Sequence, residues 1–122
     1  MTKYKKSGFG TSFQNAYRGL KVVLKSEKNF RFHSLTAFLV FLLAVLLGFD
    51  AKDLAIIVLT IAFVLICEMV NSAIEFTLDA VYKNKYSKLV GMAKDISAGA
   101  VMLSACTSVV IGILLFIHHF FD

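Results

Sequence analysis

The chain has 122 residues, of which 58% are hydrophobic, and its 13 Lys and Arg against 8 Asp and Glu give a net charge of +5. A basic balance of this kind is typical of proteins that bind nucleic acid or a membrane surface. Long apolar runs exclude nucleic acid as the partner, because a soluble chain this short has too little interior to bury them. The sequence therefore predicts one domain, 1–122, in a lipid bilayer.

The first predicted element is an amphipathic surface helix at 9–30, which follows a short basic tail at 1–8. Apolar and basic side chains recur on two different faces at spacings of three and four residues: Phe9, Phe13, Tyr17, Leu20 and Leu24 against Arg18, Lys21, Lys25 and Lys28. This pattern is typical of a helix that lies in the interface of an anionic leaflet. Gly10 and Gly19 argue against a continuous helix.

Three membrane-spanning helices are predicted at 31–49, 54–80 and 96–121, because each contains an apolar run that approaches the ~20 residues needed to cross a bilayer. A tight polar turn joins the first two, and a polar loop at 81–95 joins the last two. Small residues recur along the third span, which predicts that it is the most enclosed of the three. They are Ser97, Ala98, Gly99, Ala100, Ser104, Ala105, Ser108 and Gly112. The N-terminal segment has no continuous apolar core of a cleavable signal, so the first span is expected to stay in the chain.

The basic residues predict the orientation of the spans. Eight lie between the N-terminus and Arg31, one lies in the first turn, and four lie in the loop 81–95. Under the positive-inside rule, the N-terminus and this loop face the cytoplasm. The first turn and the C-terminus then face outward.

A narrow polar stripe runs along the second predicted span. At 100° per helical residue, five polar side chains fall within an arc of about 100°. They are Glu68, Asn71, Ser72, Glu75 and Asp79. A single Asn or Ser in a span is more often a contact between helices. Several ionisable groups in one register favour a functional site that faces a bundle interior or a water-filled cavity.

The stripe lies at a defined depth. Counting ~1.5 Å per residue from the start of the apolar run, Glu68 is about 21 Å along the span and Glu75 is about 10 Å further. In a ~30 Å hydrocarbon core, Glu68 is inside the cytoplasmic half and Glu75 is at the boundary. Glu27 precedes the first span at that boundary, and Lys94 and Asp95 begin the third. Three carboxylates, an amide and a lysine are therefore predicted to converge where lipid headgroups meet the cytosol.

Such a set of groups suits phosphoryl transfer, which relies on positioning, on charge neutralisation by Mg²⁺ and Lys, and on a base that orients the nucleophile. Carboxylates are suitable Mg²⁺ ligands when substrate phosphates complete the coordination. The chain contains neither G-x-x-x-x-G-K-[ST] nor G-x-G-x-x-G, so any ATP site would lack these phosphate loops. Composition and spacing thus predict a membrane site for a cation and an anion, without fixing a reaction.

Segments along the whole chain resemble the prokaryotic diacylglycerol kinase family. They are Glu68-Met69-Val70-Asn71-Ser72-Ala73-Ile74-Glu75 with Asp79, Ala93-Lys94-Asp95, Ala98-Gly99-Ala100-Val101, and Glu27-Lys28-Asn29-Phe30-Arg31 before the first span. The resemblance implies an all-α integral membrane protein of three spans behind a surface helix, assembled as a homotrimeric bundle with shared active sites in the bacterial plasma membrane. It implies MgATP and a lipid alcohol as substrates.

The resemblance also implies roles for the acidic residues. Glu68 would be the general base toward the lipid hydroxyl, and Glu27 and Glu75 would hold Mg²⁺ on the ATP phosphates. Arg31 and Ser72 are predicted to contact the lipid substrate together with Glu68.

Nucleotide contacts are assigned by the same resemblance to polar residues around the second and third spans. They are Glu27, Asn71, Glu75, Lys85, Tyr86, Lys94 and Asp95. Asn71 would orient the site and Lys94 would bind a phosphate. The assignment of Lys85 and Tyr86 is the weakest, because the length of this loop varies within the family.

The family has two substrate branches, one acting on diacylglycerol and one on undecaprenol. The segment Phe30-Arg31-Phe32-His33 and the absence of Trp resemble the undecaprenol branch more closely, so undecaprenol is the expected substrate and diacylglycerol the alternative. A non-enzymatic assembly or transport subunit, with a structural or proton-carrying stripe, is the alternative of another class. His33 itself is interpreted as an interfacial hydrogen-bonding residue.

Overall fold

The computed structural model describes residues 8–83, 85 and 87–122, and every regular element in this part of the chain is an α-helix. The helices are α1 (Phe9–Ser26), α2 (Lys28–Leu46), α3 (Ala51–Tyr82) and α4 (Lys88–Phe121). The last three are long and apolar enough to cross a membrane. The predicted class is therefore confirmed: an integral membrane protein with three candidate spans after an N-terminal helix.

The predicted surface helix 9–30 is interrupted at Glu27. This residue has an extended backbone, with φ −111° and ψ 106°, and it both ends α1 and precedes α2. Arg31 holds the break, because its Nη1 donates to the carbonyls of Leu24 at 2.7 Å and Lys25 at 2.9 Å. These carbonyls belong to the last turn of α1, where helical partners are missing. The first span accordingly begins before residue 31 and its helix ends before residue 49.

The turn between α2 and α3 is short and closed. Gly48 adopts φ 81°, a conformation that is costly for residues with a Cβ, and the Phe49 N–H donates to the Ala44 carbonyl at 3.1 Å. Asp50 then caps α3 by accepting from the Asp53 N–H at 2.9 Å. Phe49 is buried with Ala44 and Ile57. This turn fixes α2 and α3 as antiparallel neighbours.

The connection between α3 and α4 is much shorter than the predicted loop 81–95. Lys83 ends α3 in the left-handed conformation, and Ser87 caps α4 by accepting from the Val90 N–H at 3.2 Å. Helix α4 thus begins eight residues before the predicted start of the third span, 96 against 88. The prediction followed the rise in hydropathy, whereas the helix itself begins at its cap. Tyr86, together with Asn84, lies outside the described residues.

Helix α3 is the central helix of the protomer and packs against both α2 and α4. Within their most apolar stretches, 17% of α3, 11% of α2 and 6% of α4 is buried. The prediction that the third span is the most enclosed is therefore wrong for the single chain. Only one face of α4 meets α3, and its buried residues recur every seven positions, at Val90, Ser97 and Ser104. The other small residues of α4 include Gly99, which has open space where a Cβ would stand.

Candidate functional site

The polar stripe of α3 faces a cavity of about 320 Å³ at the end of the bundle where α1 meets α2. We call it the polar pocket. Its polar lining residues are Glu27, Asn29, His33, Glu68, Asn71, Ser72 and Glu75. Glu68 and Ser72 are buried, at 5% exposure each, whereas Asn71 and Glu75 are half-buried. The predicted convergence of Glu27, Glu68, Glu75 and Asn71 is therefore observed.

Glu27 reaches this pocket because of the break between α1 and α2. The extended backbone at Glu27 turns the chain from α1 into α2, and the next aromatic residue, Phe30, is 4% exposed and lines the same pocket. The Glu27 N–H is bonded to the Val23 carbonyl at 2.9 Å. Backbone and packing thus fix the position of Glu27, and no ion pair involving its carboxylate occurs among the described residues.

Glu68 has one close partner, which sequence reasoning missed. His33 Nδ1 lies 2.8 Å from Glu68 Oε1, although the N–H direction does not meet hydrogen-bond geometry. His33 and Glu68 lie 35 positions apart in the sequence, on α2 and α3. The sequence did indicate that His33 lies at a similar depth in the membrane to the acidic residues, because it follows Glu27 by less than two helical turns.

Two buried oxygen atoms in the polar pocket have no hydrogen-bond partner among the described residues: Glu68 Oε2 and Asn71 Oδ1. The Asn71 amide makes only a long contact, from Nδ2 to Glu75 Oε1 at 3.5 Å. Buried polar atoms are nearly always bonded in folded proteins, so unpartnered ones need an explanation. An incoming ligand with hydroxyl or cationic groups would supply it.

The predicted lysine lies in a neighbouring cavity of about 270 Å³, which we call the lysine cleft. Its polar lining residues are Asp79, Lys85, Lys94 and Asp95. Lys94 Nζ donates to Asp79 Oδ1 at 2.7 Å, and both side chains are about one-third exposed. Asp79 follows Glu75 by one helical turn on α3. The two cavities are thus neighbours along α3, rather than the single cluster that depth alone predicted.

Arg31 lies outside both cavities among the described residues. Its guanidinium is occupied by the carbonyls at the end of α1. In the structure it connects α1 to α2, whereas Glu68 and Ser72, which are also predicted to contact the lipid, line the polar pocket.

A large apolar cleft of about 500 Å³ lies between the polar pocket and the α2–α3 turn. Residues of α2, α3 and α4 line it, including Val40, Ile61 and Phe116, and its lining is almost entirely apolar. His33 and Ala105 line both this apolar cleft and the polar pocket. A molecule with a polar head and a long apolar chain would fit across that junction.

Comparison with known sequences identifies the group of proteins that shares this arrangement. A sequence profile of the family described as "Prokaryotic diacylglycerol kinase" matches residues 14–116. The chain belongs to this family. Members of the prokaryotic diacylglycerol kinase family are ATP-dependent lipid kinases.

Curated relatives in this kinase family carry two names. The chain is 37% identical to the undecaprenol kinase of Bacillus subtilis over 109 residues, which cover 89% of this chain and 88% of that protein. It is 37% identical to the diacylglycerol kinase of Synechocystis sp. over 101 residues, 83% of this chain, but spans only 58% of that protein. With the diacylglycerol kinase of Escherichia coli strain K12 it shares 30% identity over 105 residues, 86% of this chain and 85% of that protein.

The donor set of this family member fits a magnesium ion that arrives with the nucleotide. Glu27, Asn71 and Glu75 line the polar pocket, and all three side chains carry oxygen atoms that can bind a cation. Within the described ranges, no group of three or more His, Cys, Asp or Glu side chains could hold a metal ion. Mg²⁺ is commonly bound by one or two carboxylates together with substrate phosphates, so two carboxylates are sufficient here.

Proposed function

We propose that this chain is a membrane kinase that transfers the γ-phosphoryl group of ATP to the hydroxyl of undecaprenol. The observation that carries the proposal is the junction of the two cavities. A buried carboxylate, Glu68, has an oxygen without a hydrogen-bond partner among the described residues, and His33 and Ala105 line both its polar pocket and the apolar cleft. A lipid alcohol lying in the cleft would bring its hydroxyl to Glu68.

In the proposed reaction, Glu68 acts as the general base. The hydroxyl oxygen forms a bond to the γ-phosphorus, the bond from that phosphorus to the bridging oxygen of ADP breaks, and ADP leaves. The hydroxyl proton passes to Glu68 Oε2. Such a positioned base contributes about 10²–10⁴-fold to a rate.

The phosphates would lie between the polar pocket and the lysine cleft. Glu27 and Glu75 would hold Mg²⁺, which when bound neutralises phosphate charge. Lys94 would exchange its contact with Asp79 for a phosphate oxygen, as a compact cation. Lys85 and Asp95 line the same lysine cleft and would contact the nucleotide, as would Tyr86.

Undecaprenol is preferred over diacylglycerol on two grounds. The segment Phe30-Arg31-Phe32-His33 resembles the undecaprenol branch, and the relative named undecaprenol kinase is matched along 88% of its length. The test is transfer of labelled γ-phosphate from ATP in detergent, with undecaprenol and diacylglycerol compared at equal mole fractions. Faster transfer to undecaprenol is expected. The reverse order would assign diacylglycerol, and no transfer to either alcohol would remove the kinase proposal.

We also propose that the active unit is a homotrimer with the N-terminus and the α3–α4 connection in the cytoplasm. The family resemblance supports the trimer, and the basic residues of the N-terminal segment and of the α3–α4 connection favour their cytoplasmic location. Mixing Glu27→Ala chains with Glu75→Ala chains should restore part of the activity if subunits share sites. No recovery in mixed oligomers of verified composition would show that each chain completes its own site.

A further inference from the structure

We infer that His33 is a positioning residue for Glu68: it holds Oε1 of the carboxylate so that Oε2 is presented to the lipid hydroxyl. The inference rests on the proposed function, because it assigns a partner to the proposed base. It changes the interpretation of His33 from an interfacial hydrogen-bonding residue to a part of the site.

The first argument is the asymmetry of the Glu68 carboxylate. One oxygen lies 2.8 Å from His33 Nδ1, and the other, although buried, has no partner among the described residues. The Glu68 side chain is only 6% exposed. A buried carboxylate with a free rotor would sample orientations that do not face the substrate, and burial without a partner is costly. A donor on Oε1 would restrict this rotation and offset part of the cost of burial, and it leaves the second oxygen free for a substrate.

The second argument is the position of the imidazole. His33 lines both the polar pocket and the apolar cleft, so it lies at the junction that a lipid hydroxyl must reach. The other titratable groups lining the polar pocket are Glu27 and Glu75, both acidic. His33 is therefore the one nitrogen-bearing ring among the described residues of that pocket.

The contact is close but not yet aligned for hydrogen bonding. The terminal torsion of a Glu side chain is broad, so rotation of the carboxylate can improve this alignment. Catalytic hydrogen bonds in ligand-free structures are often poorly aligned and tighten only when substrate binds. The role requires the tautomer with hydrogen on Nδ1, which donates to Oε1.

Two substitutions of His33 separate its donor from its bulk. In His33→Asn the amide nitrogen is attached to Cγ, as Nδ1 is in His, so the donor stays near Oε1. In His33→Leu the donor is lost and an apolar side chain of similar reach remains. We expect His33→Leu to lower kcat by about 10²-fold, within the range of a general base, with the KM for MgATP unchanged. His33→Asn should recover at least tenfold of that loss.

Equal losses of kcat in the Asn and Leu variants would overturn the inference, and so would unchanged kcat in His33→Leu. His118→Leu is the matched control, because His118 is exposed at the far end of α4 and should keep normal kcat. Retained MgATP binding verifies that each variant is folded. If His33→Leu fails this check, His33→Asn alone decides: it should stay within tenfold of the unaltered kcat, and a larger loss with MgATP binding intact overturns the inference.

A double variant tests whether His33 acts through Glu68. In a Glu68→Gln background, His33→Leu should cause little further loss, because residues that act as a unit are strongly non-additive. If the loss of kcat in the double variant equals the product of the losses in the two single variants, His33 acts independently of Glu68 and the inference is overturned. Failure of the proposed function is distinguishable: the unaltered protein would then transfer no phosphate to any lipid alcohol.

Discussion

The two ends of the helical bundle each contain a histidine, and the contacts of these two histidines differ. At the closed end, where α2 turns into α3, His119 Nε2 lies 3.0 Å from the Leu47 carbonyl, and its ring stacks on Phe49 with centroids 4.3 Å apart. At the pocket end, His33 meets Glu68, whose second oxygen stays unpartnered. The closed end therefore resembles a completed structural contact, whereas the pocket end leaves buried polar atoms for a ligand.

This difference shows how a structural polar contact can be distinguished from a site. Both contacts join residues far apart in the sequence, and both lie at the end of a span. Only the pocket end combines buried carboxylate, unpartnered acceptor atoms and an adjoining cavity. Substitutions at the pocket end should therefore reduce activity more than stability, and the reverse should hold at the closed end.

The largest effect is expected for Glu68→Gln. The amide keeps the shape of the side chain but cannot accept the hydroxyl proton, so kcat should fall by about 10²–10⁴-fold. MgATP affinity should persist, because Glu27 and Glu75 remain. The measurement is kcat together with nucleotide affinity on one preparation. Near-normal kcat would end the assignment of Glu68 as base, and loss of MgATP binding would make it a metal ligand instead.

A smaller effect is expected for Lys94→Met, which removes the cation of the lysine cleft and keeps an unbranched apolar stem. A hydrogen bond to a charged group contributes about 1.5–3 kcal/mol, so kcat/KM for ATP should fall by about 10–150-fold. Asp79→Asn is the matched control for loss of the resting ion pair. Unaltered steady-state parameters for Lys94→Met would remove Lys94 from the nucleotide site.

Arg31→Gln should have a smaller effect on kcat, because it acts by loosening the contact between α1 and α2. It deletes two solvent-exposed bonds to the carbonyls of Leu24 and Lys25, and exposure lowers their contribution below the about 1.5–3 kcal/mol of a charged hydrogen bond. Amide hydrogen exchange near the end of α1 should accelerate, and kcat should fall moderately because Glu27 loses its fixed position. A selective rise in the KM for the lipid, with exchange unchanged, would restore Arg31 to the substrate-binding set.

The smallest effect on activity is expected for His119→Leu at the closed end. It removes one hydrogen bond and a ring stack, which together contribute about 1–3 kcal/mol. The midpoint temperature of thermal unfolding should fall, while kcat per folded protein stays close to normal. A loss of kcat as large as that for His33→Leu would break the distinction between the two ends.

The sequence predicted the polar face of α3 well, because a helical period places Glu68, Asn71 and Glu75 on one face whatever surrounds the helix. It predicted the start of α4 poorly, since hydropathy reports where a helix meets lipid and the Ser87 cap reports where the helix begins. The break at Glu27 depends on Arg31 reaching back to the last turn of α1, and the pairing of His33 with Glu68 depends on how α2 packs on α3. Those contacts are tertiary, and no local pattern in the sequence encodes them.

Because α2 and α3 differ in length, the candidate site lies at the boundary between the bilayer and water. Helix α2 has 19 residues and extends about 28 Å, whereas α3 has 32 residues and extends about 48 Å. The two helices are joined by a short turn at the closed end, so nearly all of the excess length of α3 projects beyond the start of α2. Glu68 lies level with His33 in the second turn of α2, and Glu75 and Asp79 lie on the projecting part. A nucleotide can thus approach the projecting part of α3 from water, while a lipid alcohol approaches Glu68 from the bilayer.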